Sequence, residues 1–200
     1  MSPPVQPQTA ERVVLLDRDG TLVIDRGYLA DPAGLEFLPG AAEALRRLHQ
    51  QGHRLVIISN QSGVGRGLFS AARLEQMNQR LRRMVQEAGA ALAGIYCCPH
   101  RPEDRCACRK PNGALVYQAA QELHFEPAAA VVIGDRDSDI ELGRRLQATT
   151  IRLLPGDQAT SPAASPSSPS HPYSVAADYL AADLLEAAGI IGKLPALNRQ

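Results

Sequence analysis

The chain contains 200 residues, of which 44% are hydrophobic and 21% are charged. This composition is typical of a soluble globular protein, and the length suits one domain with its own core. Lys and Arg together number 21, and Asp and Glu together also number 21, so the formal net charge is zero. No overall charge therefore attracts the chain to nucleic acid or to an anionic membrane. Every apolar run is far shorter than a membrane-spanning helix requires. We therefore expect a cytoplasmic protein that binds neither nucleic acid nor membrane.

The first predicted element is a buried parallel strand over residues 13–16, which read Val-Val-Leu-Leu. Asp17 and Asp19 follow it directly, and Gly20 and Thr21 come next. Ligands of open α/β sheets bind beyond the carboxyl ends of the strands, so both carboxylates are expected at one site. Paired carboxylates can provide a nucleophile, a metal ligand and a general acid. An ordinary Asp-Gly turn is the alternative interpretation of this segment alone.

Three later segments place polar residues in comparable positions. Residues 54–58 predict a second buried strand that runs into the polar segment 59–63, and residues 129–133 predict a third strand that runs into the acidic segment 135–139. Between them lies the basic pair 109–110, in which the lysine suits a phosphate. Each segment alone is ordinary. Together, and in this order, they favour a site for phosphate chemistry.

Helices alternate with these strands along the chain. Ser70 is placed to cap a long helix. The inward residues of that helix are predicted to be Leu74, Met77, Leu81, Met84 and Ala88. Other helices are predicted over residues 41–51, 114–123 and 138–147, and further strands over residues 94–96 and 149–153. This alternation predicts a parallel sheet with helices on both faces.

The order of the motifs resembles the haloacid dehalogenase (HAD) superfamily of phosphohydrolases over residues 12–154. Asp17, Asp19 and Thr21 match its Asp-x-Asp-x-Thr motif, Ser59 its second motif, Lys110 its third, and Asp135 with Asp139 its fourth. The resemblance implies an α/β fold, namely a Rossmann-like doubly wound parallel sheet. The gaps between motifs hold single helices and loops, so the enzyme is expected to be essentially capless. Its mouth is expected to be shaped by the 23–39 loop and by the cysteine-rich loop over residues 98–108.

Four cysteines lie within residues 97–108. Cys98, His100, Cys106 and Cys108 offer three thiolates and one imidazole, the usual ligand set of a tetrahedral structural zinc site. A disulfide cluster is the alternative, but no signal peptide is recognised that would indicate an oxidising compartment. A redox or catalytic cysteine is another, but the usual Cys-x-x-Cys spacing is missing. Cys97 is expected to be a buried apolar residue that ends a strand.

A zinc loop that runs directly into Cys-Arg-Lys-Pro resembles one branch of the superfamily, which holds the D-glycero-D-manno-heptose 1,7-bisphosphate 7-phosphatases and the histidinol-phosphate phosphatases. Residues 25–28 and 60–67 are similar to the Asp-x-Gly-Tyr and Asn-Gln-Ser-Gly-x-x-Arg-Gly segments of the heptose enzymes. The histidinol enzymes carry Asp in place of Ser62 and lack the Gly-Tyr pair. Arg136 is closer to the histidinol form, because the heptose enzymes often have Lys there. Histidinol phosphate or another small sugar phosphate therefore stays open as the substrate.

The resemblance implies a magnesium-dependent phosphatase that acts through an aspartyl-phosphate. Asp17 is then the nucleophile, and Asp19 is the general acid and base. Ser59 and Lys110 stabilise the phosphoryl charge, and Mg²⁺ is bound by Asp17, Asp135 and the backbone carbonyl of Asp19. Each of these residues also has side-chain or backbone chemistry that suits its role.

The resemblance also suggests the contacts to a small phosphorylated sugar. The implied substrate-binding residues are Asp25, Arg26, Gly27, Tyr28, Asn60, Gln61, Ser62, Arg109 and Arg136. Arg109 is expected to bind a second, non-reacting phosphate, because a guanidinium can do so with two hydrogen bonds. For Arg66 and Arg136, an ordinary charge at the surface or at the start of a helix is an equal alternative to a substrate contact.

The remaining expectations concern domain organisation and assembly. Residues 1–11 are expected to be a flexible leader, 12–154 the phosphatase domain with its zinc loop at 98–108, and 155–173 a low-complexity loop rich in Ser and Pro. Residues 174–190 should add a final strand and a helix capped by Asp183, and residues 191–200 a tail. The chain is expected to be a monomer. A non-catalytic, zinc-stabilised binding module is the alternative of a different class, and the complete set of acidic and basic motif residues disfavours it.

Overall fold

The computed structural model describes residues 11–154 and 174–195. Its strands are β1 (Val13–Leu16), β2 (Arg54–Asn60), β3 (Leu92–Cys98), β4 (Val131–Gly134), β5 (Thr149–Leu153) and β6 (Tyr179–Ala181). Its α-helices are α1 (Ala41–Gln50), α2 (Ala71–Glu87), α3 (Ala114–Leu123), α4 (Asp137–Arg145) and α5 (Leu184–Ile191). Short 3₁₀ turns cover Pro32–Gly34, Pro102–Asp104 and Pro127–Ala129.

All six strands run parallel in one sheet, in the order β3-β2-β1-β4-β5-β6. Leu16, the last residue of β1, lies opposite Ile57 of β2 on one side and Ile133 of β4 on the other. The strand order reverses between β1 and β4, and open α/β sheets bind their ligands at such a switch point. The topology therefore directs the residues that follow β1, β2 and β4 to a common site.

The core has two halves because successive side chains of a strand point to opposite faces of the sheet. Val14 and Leu16 pack in one half with buried residues of α1, α2 and α5. Val13 and Leu15 pack in the other half with buried residues of α3 and α4. Helices thus cover both faces, and the strands read as continuous apolar runs because both faces are buried.

Most of the predicted elements are present, and three of them, the strands over 13–16 and 149–153 and the helix over 114–123, have the predicted bounds. The predicted strand over 129–133 begins only at Val131, because Pro127–Ala129 forms a 3₁₀ turn. The strand predicted over 94–96 is longer and spans Leu92–Cys98.

The caps predicted for two helices are confirmed. The hydroxyl of Ser70 accepts a hydrogen bond from the backbone N–H of Arg73 at the start of α2. The carboxylate of Asp183 accepts one from Glu186 at the start of α5. The predicted inward face of α2 is buried except for Ala88, which is partly exposed beyond the end of the helix, whereas Val85 is buried instead.

No inserted domain interrupts residues 11–154. Between β1 and β2 the chain forms one 3₁₀ turn and α1, and between β2 and α3 it forms α2, β3 and a second 3₁₀ turn. This confirms the prediction that the sheet carries essentially no cap domain. The predicted low-complexity loop at 155–173 lies outside the described residues, as do most of the predicted leader and the end of the predicted tail. Among the described helices, none combines the length and apolar character that crossing a membrane requires.

Candidate active site

A cavity of about 370 Å³ opens at the carboxyl ends of the central strands. Twelve of the residues predicted for catalysis or substrate binding line it: Asp17, Asp19, Asp25, Gly27, Tyr28, Ser59, Asn60, Gln61, Ser62, Arg109, Lys110 and Arg136. Arg66 and Ser138 also contribute to its wall. The predicted substrate residue Arg26 is not part of that wall, and its guanidinium instead pairs with Glu36 at 2.6 Å. Residues far apart in the chain therefore share one polar cavity.

Lys110 is a buried cation in this cavity, with 5% of its surface exposed. Its ammonium nitrogen lies 2.7 Å from Oδ1 of Asp17 and 2.7 Å from Oδ1 of Asp139, and it donates a hydrogen bond to the carbonyl of Ile58 at 2.7 Å. Asp17 itself is fixed at the end of β1, because its backbone N–H donates to the carbonyl of Ile133 in β4. One ammonium group thus holds two carboxylates, one directly after β1 and one in the first turn of α4.

Electrostatic attraction outweighs desolvation at Lys110. Burial alone would lower the pKa of Lys110, but the charges of Asp139 and Asp17 raise it above its ordinary value. Burial raises the pKa of Asp139 to about 6, although the charge of Lys110 opposes the rise. The lysine therefore stays protonated at neutral pH and offsets the negative charge around Asp17.

Asp19 has a different set of partners. Its carboxylate accepts hydrogen bonds from Nε and Nη2 of Arg18 at 3.0 and 3.1 Å, and from Nε2 of Gln61 at 2.8 Å. Burial raises the pKa of Asp19, and the charge of Arg18 opposes that rise. The two neighbouring aspartates of the first motif therefore have separate cationic partners, Lys110 for one and Arg18 for the other.

Asp135 lies against the turn that follows β1. The hydroxyl of Thr21 donates to Asp135 Oδ1 at 3.3 Å, and a Cβ atom on Gly20 would lie 2.5 Å from Asp135 Oδ2. Gly20 also has a φ of 81°, so glycine is needed both for its backbone conformation and for this close approach. Burial, followed by repulsion from Asp17, raises the pKa of Asp135.

Carboxylate oxygens of Asp17, Asp135 and Asp139 lie within 4.8 Å of one another. Asp139 is occupied by Lys110 and by the backbone N–H of Arg136, which donates to its Oδ2 at 3.1 Å. Asp17 and Asp135 repel each other, and they are the two members of the cluster that a cation would join. Hard oxygen ligands of this kind fit Mg²⁺.

The side chain of Asn60 holds the backbone of Lys110 in place. Its side-chain oxygen accepts from the backbone N–H of Lys110 at 3.0 Å, and its side-chain nitrogen donates to the backbone carbonyl of Lys110 at 3.2 Å. Asn60 was predicted as a substrate contact, and the structure shows that its amide is already paired in this way on the cavity wall. It connects β2 to the basic pair.

The segment 25–28 forms one side of the cavity mouth. The carboxylate of Asp25 accepts from the backbone N–H of Gly27 at 2.8 Å and from Nη2 of Arg136 at 2.7 Å. Tyr28 is 52% exposed at this position. The ion pair between Asp25 and Arg136 joins the loop after β1 to the start of α4, so two predicted substrate residues hold each other at the mouth.

The predicted zinc ligands form one compact cluster. The sulfur atoms of Cys98, Cys106 and Cys108 are separated by 3.1 to 3.5 Å, and Nδ1 of His100 lies 3.2 Å from the sulfur of Cys108 and 3.7 Å from that of Cys98. Tetrahedral zinc with Zn–S bonds of about 2.3 Å needs sulfur–sulfur separations of about 3.8 Å. The cluster therefore fits a zinc ion after a small outward shift of the thiols.

Cys97 lies outside this cluster. Its thiol is within 3.9 Å of the side chain of Asn78, and burial raises its pKa to about 11. A thiol with such a high pKa is protonated at neutral pH, as expected for a structural cysteine. Among the described residues, the cysteines that converge are the three predicted as ligands.

The cysteine–histidine cluster is attached directly to the cavity. The backbone N–H of Gln61 donates to the carbonyl of Cys98 at 2.7 Å, and that of Gly65 donates to the carbonyl of Pro99 at 2.9 Å. A Cβ atom on Gly65 would lie 2.7 Å from the same Pro99 oxygen. Arg109 donates to the carbonyl of His100 at 3.4 Å. The loop after β2 and the basic pair therefore both rest on the cysteine-rich loop.

Two buried arginines near the site were not predicted from the sequence. Arg18 contacts Asp19, as described above. Arg152 of β5 has no exposed surface, and it donates to the backbone carbonyl of Asp135 at 3.2 Å and to the carboxylate of Asp137 at 2.6 Å. A charged residue inside an apolar strand such as β5 was the available signal, because a buried cation requires a partner.

The fold and the site define the class. The chain has the fold and the site of a HAD-like phosphoric monoester hydrolase. Its parallel sheet brings an Asp-x-Asp-x-Thr loop, a Ser after the second strand, a buried Lys and a second acidic loop to one cavity. The sequence model described as polynucleotide kinase 3 phosphatase matches residues 12–145, and the model described as HAD-hydrolase-like matches residues 107–187.

The similar proteins identify the family. The D-glycero-beta-D-manno-heptose-1,7-bisphosphate 7-phosphatase of Helicobacter pylori strain J99 is 39% identical over 147 residues, which cover 73% of this chain and 84% of that protein. A probable D-glycero-D-manno-heptose-1,7-bisphosphate 7-phosphatase of Thermoplasma volcanium is 35% identical over 72% of this chain and 98% of its own length. The chain therefore belongs to the heptose-1,7-bisphosphate 7-phosphatase family.

A solved structure agrees with this assignment. The crystal structure of D,D-heptose 1,7-bisphosphate phosphatase from B. bronchiseptica, complexed with magnesium and phosphate, has a TM-score of 0.76 and 28% sequence identity. The match covers 90% of this chain and 97% of that protein. The likeness thus extends over the whole described fold.

Proposed function

We propose that this chain hydrolyses the C7 phosphate of D-glycero-D-manno-heptose 1,7-bisphosphate in a magnesium-dependent reaction that passes through an aspartyl-phosphate on Asp17. The observation that carries this proposal is the arrangement of Asp17, Asp19 and Lys110 at one cavity, with Lys110 2.7 Å from Asp17. The family names supply the substrate, and the site supplies the chemistry.

In the first step, a carboxylate oxygen of Asp17 attacks the phosphorus atom of the C7 phosphate. The bond between phosphorus and the sugar oxygen breaks, and the carboxyl group of Asp19 gives its proton to that oxygen as it leaves. Burial raises the pKa of Asp19, which favours the protonated form that this step needs. The products are the dephosphorylated C7 hydroxyl and a phosphorylated Asp17.

In the second step, water attacks the phosphorus atom of the aspartyl-phosphate. Asp19, now ionised, takes a proton from that water, and the bond between phosphorus and the oxygen of Asp17 breaks. Inorganic phosphate leaves, and both aspartates return to their starting states. Ser59 and Lys110 stabilise the charge on the phosphoryl oxygens in both steps.

Asp17, Asp135 and the backbone carbonyl of Asp19 would hold Mg²⁺. Bound there, the ion supplies the positive charge that lets an anionic carboxylate approach an anionic phosphate. Cys98, His100, Cys106 and Cys108 would hold Zn²⁺ in a closed, structural site, since four protein ligands leave no position for substrate. We propose that this zinc keeps Arg109 and Lys110 in place at the cavity.

Arg109 is the proposed contact for the second phosphate of the substrate. It lines the cavity, and among the described residues its guanidinium donates to one backbone carbonyl, that of His100, at 3.4 Å. Arg136 is the weaker choice, because Asp25 already offsets its charge at 2.7 Å. Tyr28 and Ser62 also line the cavity and are available to the sugar, whereas the amide of Gln61 is bonded to Arg18, Asp19 and Ser59.

Histidinol phosphate is the second candidate substrate. Arg136, which resembles the histidinol enzymes at this position, is the observation that favours it. A direct comparison separates the two: release of inorganic phosphate is measured with heptose 1,7-bisphosphate, histidinol phosphate, simple sugar phosphates and a 3′-phosphorylated oligonucleotide, each with magnesium and with a chelator.

We expect the bisphosphate to have the highest kcat/KM and all release to need magnesium. Faster turnover of histidinol phosphate would overturn the substrate assignment. Turnover of the oligonucleotide alone would support the activity named by the family model that matches residues 12–145. Absence of any magnesium-dependent release would favour a non-catalytic binding module.

A further inference from the structure

Arg18 is a charged residue in the interior, with 2% of its surface exposed. In the sequence it lies between Asp17 and Asp19, the two aspartates of the first motif. A buried guanidinium is costly unless an ionised or polar partner compensates its charge. Among the described residues, Arg18 forms its ion pair with Asp19, and Gln61 accepts a further hydrogen bond from it.

Gln61 completes a closed arrangement around the carboxylate of Asp19. Its side-chain oxygen accepts from Nη2 of Arg18 at 2.8 Å, and its side-chain nitrogen donates to Asp19 Oδ2 and to the hydroxyl oxygen of Ser59, both at 2.8 Å. The amide of Gln61 is therefore oriented by three groups. Arg18 lies in the loop that follows β1, and Gln61 directly follows the end of β2.

The two oxygens of Asp19 are not equivalent in this arrangement. Oδ2 accepts from Arg18 Nε at 3.0 Å and from Gln61 Nε2 at 2.8 Å, which occupies both of its lone pairs. Oδ1 accepts from Arg18 Nη2 at 3.1 Å and keeps one lone pair. The oxygen that can carry a proton and exchange it with a substrate is therefore Oδ1.

We propose that Arg18 and Gln61 form a clamp that orients the carboxyl group of Asp19 so that Oδ1 exchanges the proton with the leaving oxygen and with the attacking water. This proposal rests on the general acid and base role given to Asp19 under the proposed function. Arg18 is then a positioning residue, because it touches Asp19 and does not line the cavity.

A comparison of two leaving groups tests the clamp. Expulsion of a sugar alkoxide needs a proton from Asp19, whereas p-nitrophenolate is stable enough to leave without one. The magnesium-loaded full chain is mixed with heptose bisphosphate or with p-nitrophenyl phosphate, and the rate of the first turnover is measured by rapid quench. Arg18→Met is compared with the unmodified protein, with Arg18→Lys and with Gln61→Leu.

We expect Arg18→Met to slow the first turnover of the sugar phosphate by ~10²-fold, the size expected when a catalytic group is displaced by about 1 Å. The rate of the first p-nitrophenolate release should change by less than about tenfold, because this leaving group needs no proton. Loss of general acid catalysis would cost ~10²–10⁴-fold. Dephosphorylation of Asp17 also uses Asp19, so the variant should show a burst of p-nitrophenolate followed by slow turnover. Arg18→Lys should restore part of the lost rate, and Gln61→Leu should shift it in the same direction as Arg18→Met.

Arg12→Met is the matched control, because Arg12 is a buried arginine at the other end of the same strand, where it contacts the carbonyl of Pro195. Equal losses with both esters in Arg18→Met, or the same leaving-group pattern in Arg12→Met, would overturn the clamp. If Arg18→Met does not fold, as judged by thermal unfolding, Gln61→Leu and Arg18→Lys carry the same test. Failure of the unmodified protein to turn over either ester would contradict the proposed function, and with it the clamp.

Discussion

The ammonium nitrogen of Lys110 lies 2.7 Å from Oδ1 of Asp17, the proposed nucleophile. The same nitrogen lies 2.7 Å from Asp139, which is 1% exposed and is bonded to the start of α4. One cation therefore links the residue that would attack phosphorus to a buried carboxylate that has no place on the cavity wall. We infer that Asp139 orients Lys110, and that Lys110 in turn holds Asp17.

Replacing Lys110 by methionine should abolish turnover and also lower the stability of the protein. The change leaves Asp139 buried without its cation, and breaking a buried ion pair from one side costs about 3–5 kcal/mol. Urea unfolding of Lys110→Met at pH 7.5 measures that cost. A loss of less than about 1 kcal/mol, the range of an exposed pair, would contradict the structural role given to this contact.

The double variant Lys110→Met/Asp139→Asn separates stability from activity. Asparagine removes the unpaired charge and keeps an oxygen that can accept from the backbone N–H of Arg136. We expect the free energy of unfolding to recover by about half or more of the loss, because the penalty of an isolated buried charge is gone. Turnover should stay absent, because Asp17 still lacks its cation.

Metal analysis tests the cysteine cluster. The purified protein should contain one tightly bound zinc per chain, and Cys106→Ser or Cys108→Ser should lose it. Cys97→Ser is the matched control and should keep the metal, since the thiol of Cys97 lies against Asn78 and outside the cluster. Loss of zinc from Cys97→Ser, or its absence from the unmodified protein, would show that the ligand assignment is wrong.

Arg109→Ala should affect a bisphosphate more than a monophosphate. A charge-assisted hydrogen bond contributes ~1.5–3 kcal/mol, so kcat/KM for the bisphosphate should fall about ten- to a hundred-fold more than that for a sugar monophosphate. Arg136→Ala is the comparison, since Arg136 already has a carboxylate partner. Equal losses on both substrates in Arg109→Ala would indicate that Arg109 acts at the reacting phosphate.

His53 should make the stability of the fold depend on pH. It is 2% exposed, and its Nδ1 accepts a hydrogen bond from the backbone N–H of Arg12 at 3.2 Å, so this nitrogen must be unprotonated. Burial, followed by the charge of Arg12, lowers the pKa of His53 below its usual 6.5. The folded state therefore binds fewer protons than the unfolded state as the pH falls below about 6.5.

The sign of the effect follows from that difference in proton binding. The contribution of His53 is fully present above pH 6.5 and is lost as the pH falls toward its folded pKa, by at most about 1.4 kcal/mol per pH unit. His53→Asn keeps an acceptor and does not titrate. The free energy of unfolding of the unmodified protein should fall more steeply between pH 7 and 5 than that of His53→Asn, and parallel profiles would contradict the assignment.

The fold could be predicted where a local pattern matched the tertiary environment. The strands over 13–16 and 149–153 and the helix over 114–123 have their predicted bounds. Gly113 precedes that helix, and His124, with a φ of 53°, ends it. The strand expected at 129–133 starts only at Val131, because Pro127–Ala129 forms a 3₁₀ turn. The apolar residues at 129 and 130 gave no sign of that turn. Ala88 was placed in the core by helical spacing alone, but α2 ends before it.

The sequence predicts which residues belong to the site, but it does not predict the contacts between them. Four motifs identify which residues gather at the cavity, and residue identity and spacing identify the three cysteines and one histidine that converge beside it. The contact between Lys110 and Asp139, the bonds of Asn60 to the backbone of Lys110, and the burial of Arg18 all depend on how separate strands come together. No short-range pattern in the sequence carries that information.

The central claim is that Asp17 becomes phosphorylated during turnover. The most direct measurement is to mix the magnesium-loaded protein with heptose bisphosphate, quench within the first turnover, reduce any acyl phosphate with borohydride and identify the modified peptide by mass spectrometry. We expect the modification at Asp17, and we expect none in Asp17→Asn, which should remain folded but inactive. Phosphate release by Asp17→Asn at a rate close to that of the unmodified protein, or modification at another residue, would contradict the mechanism.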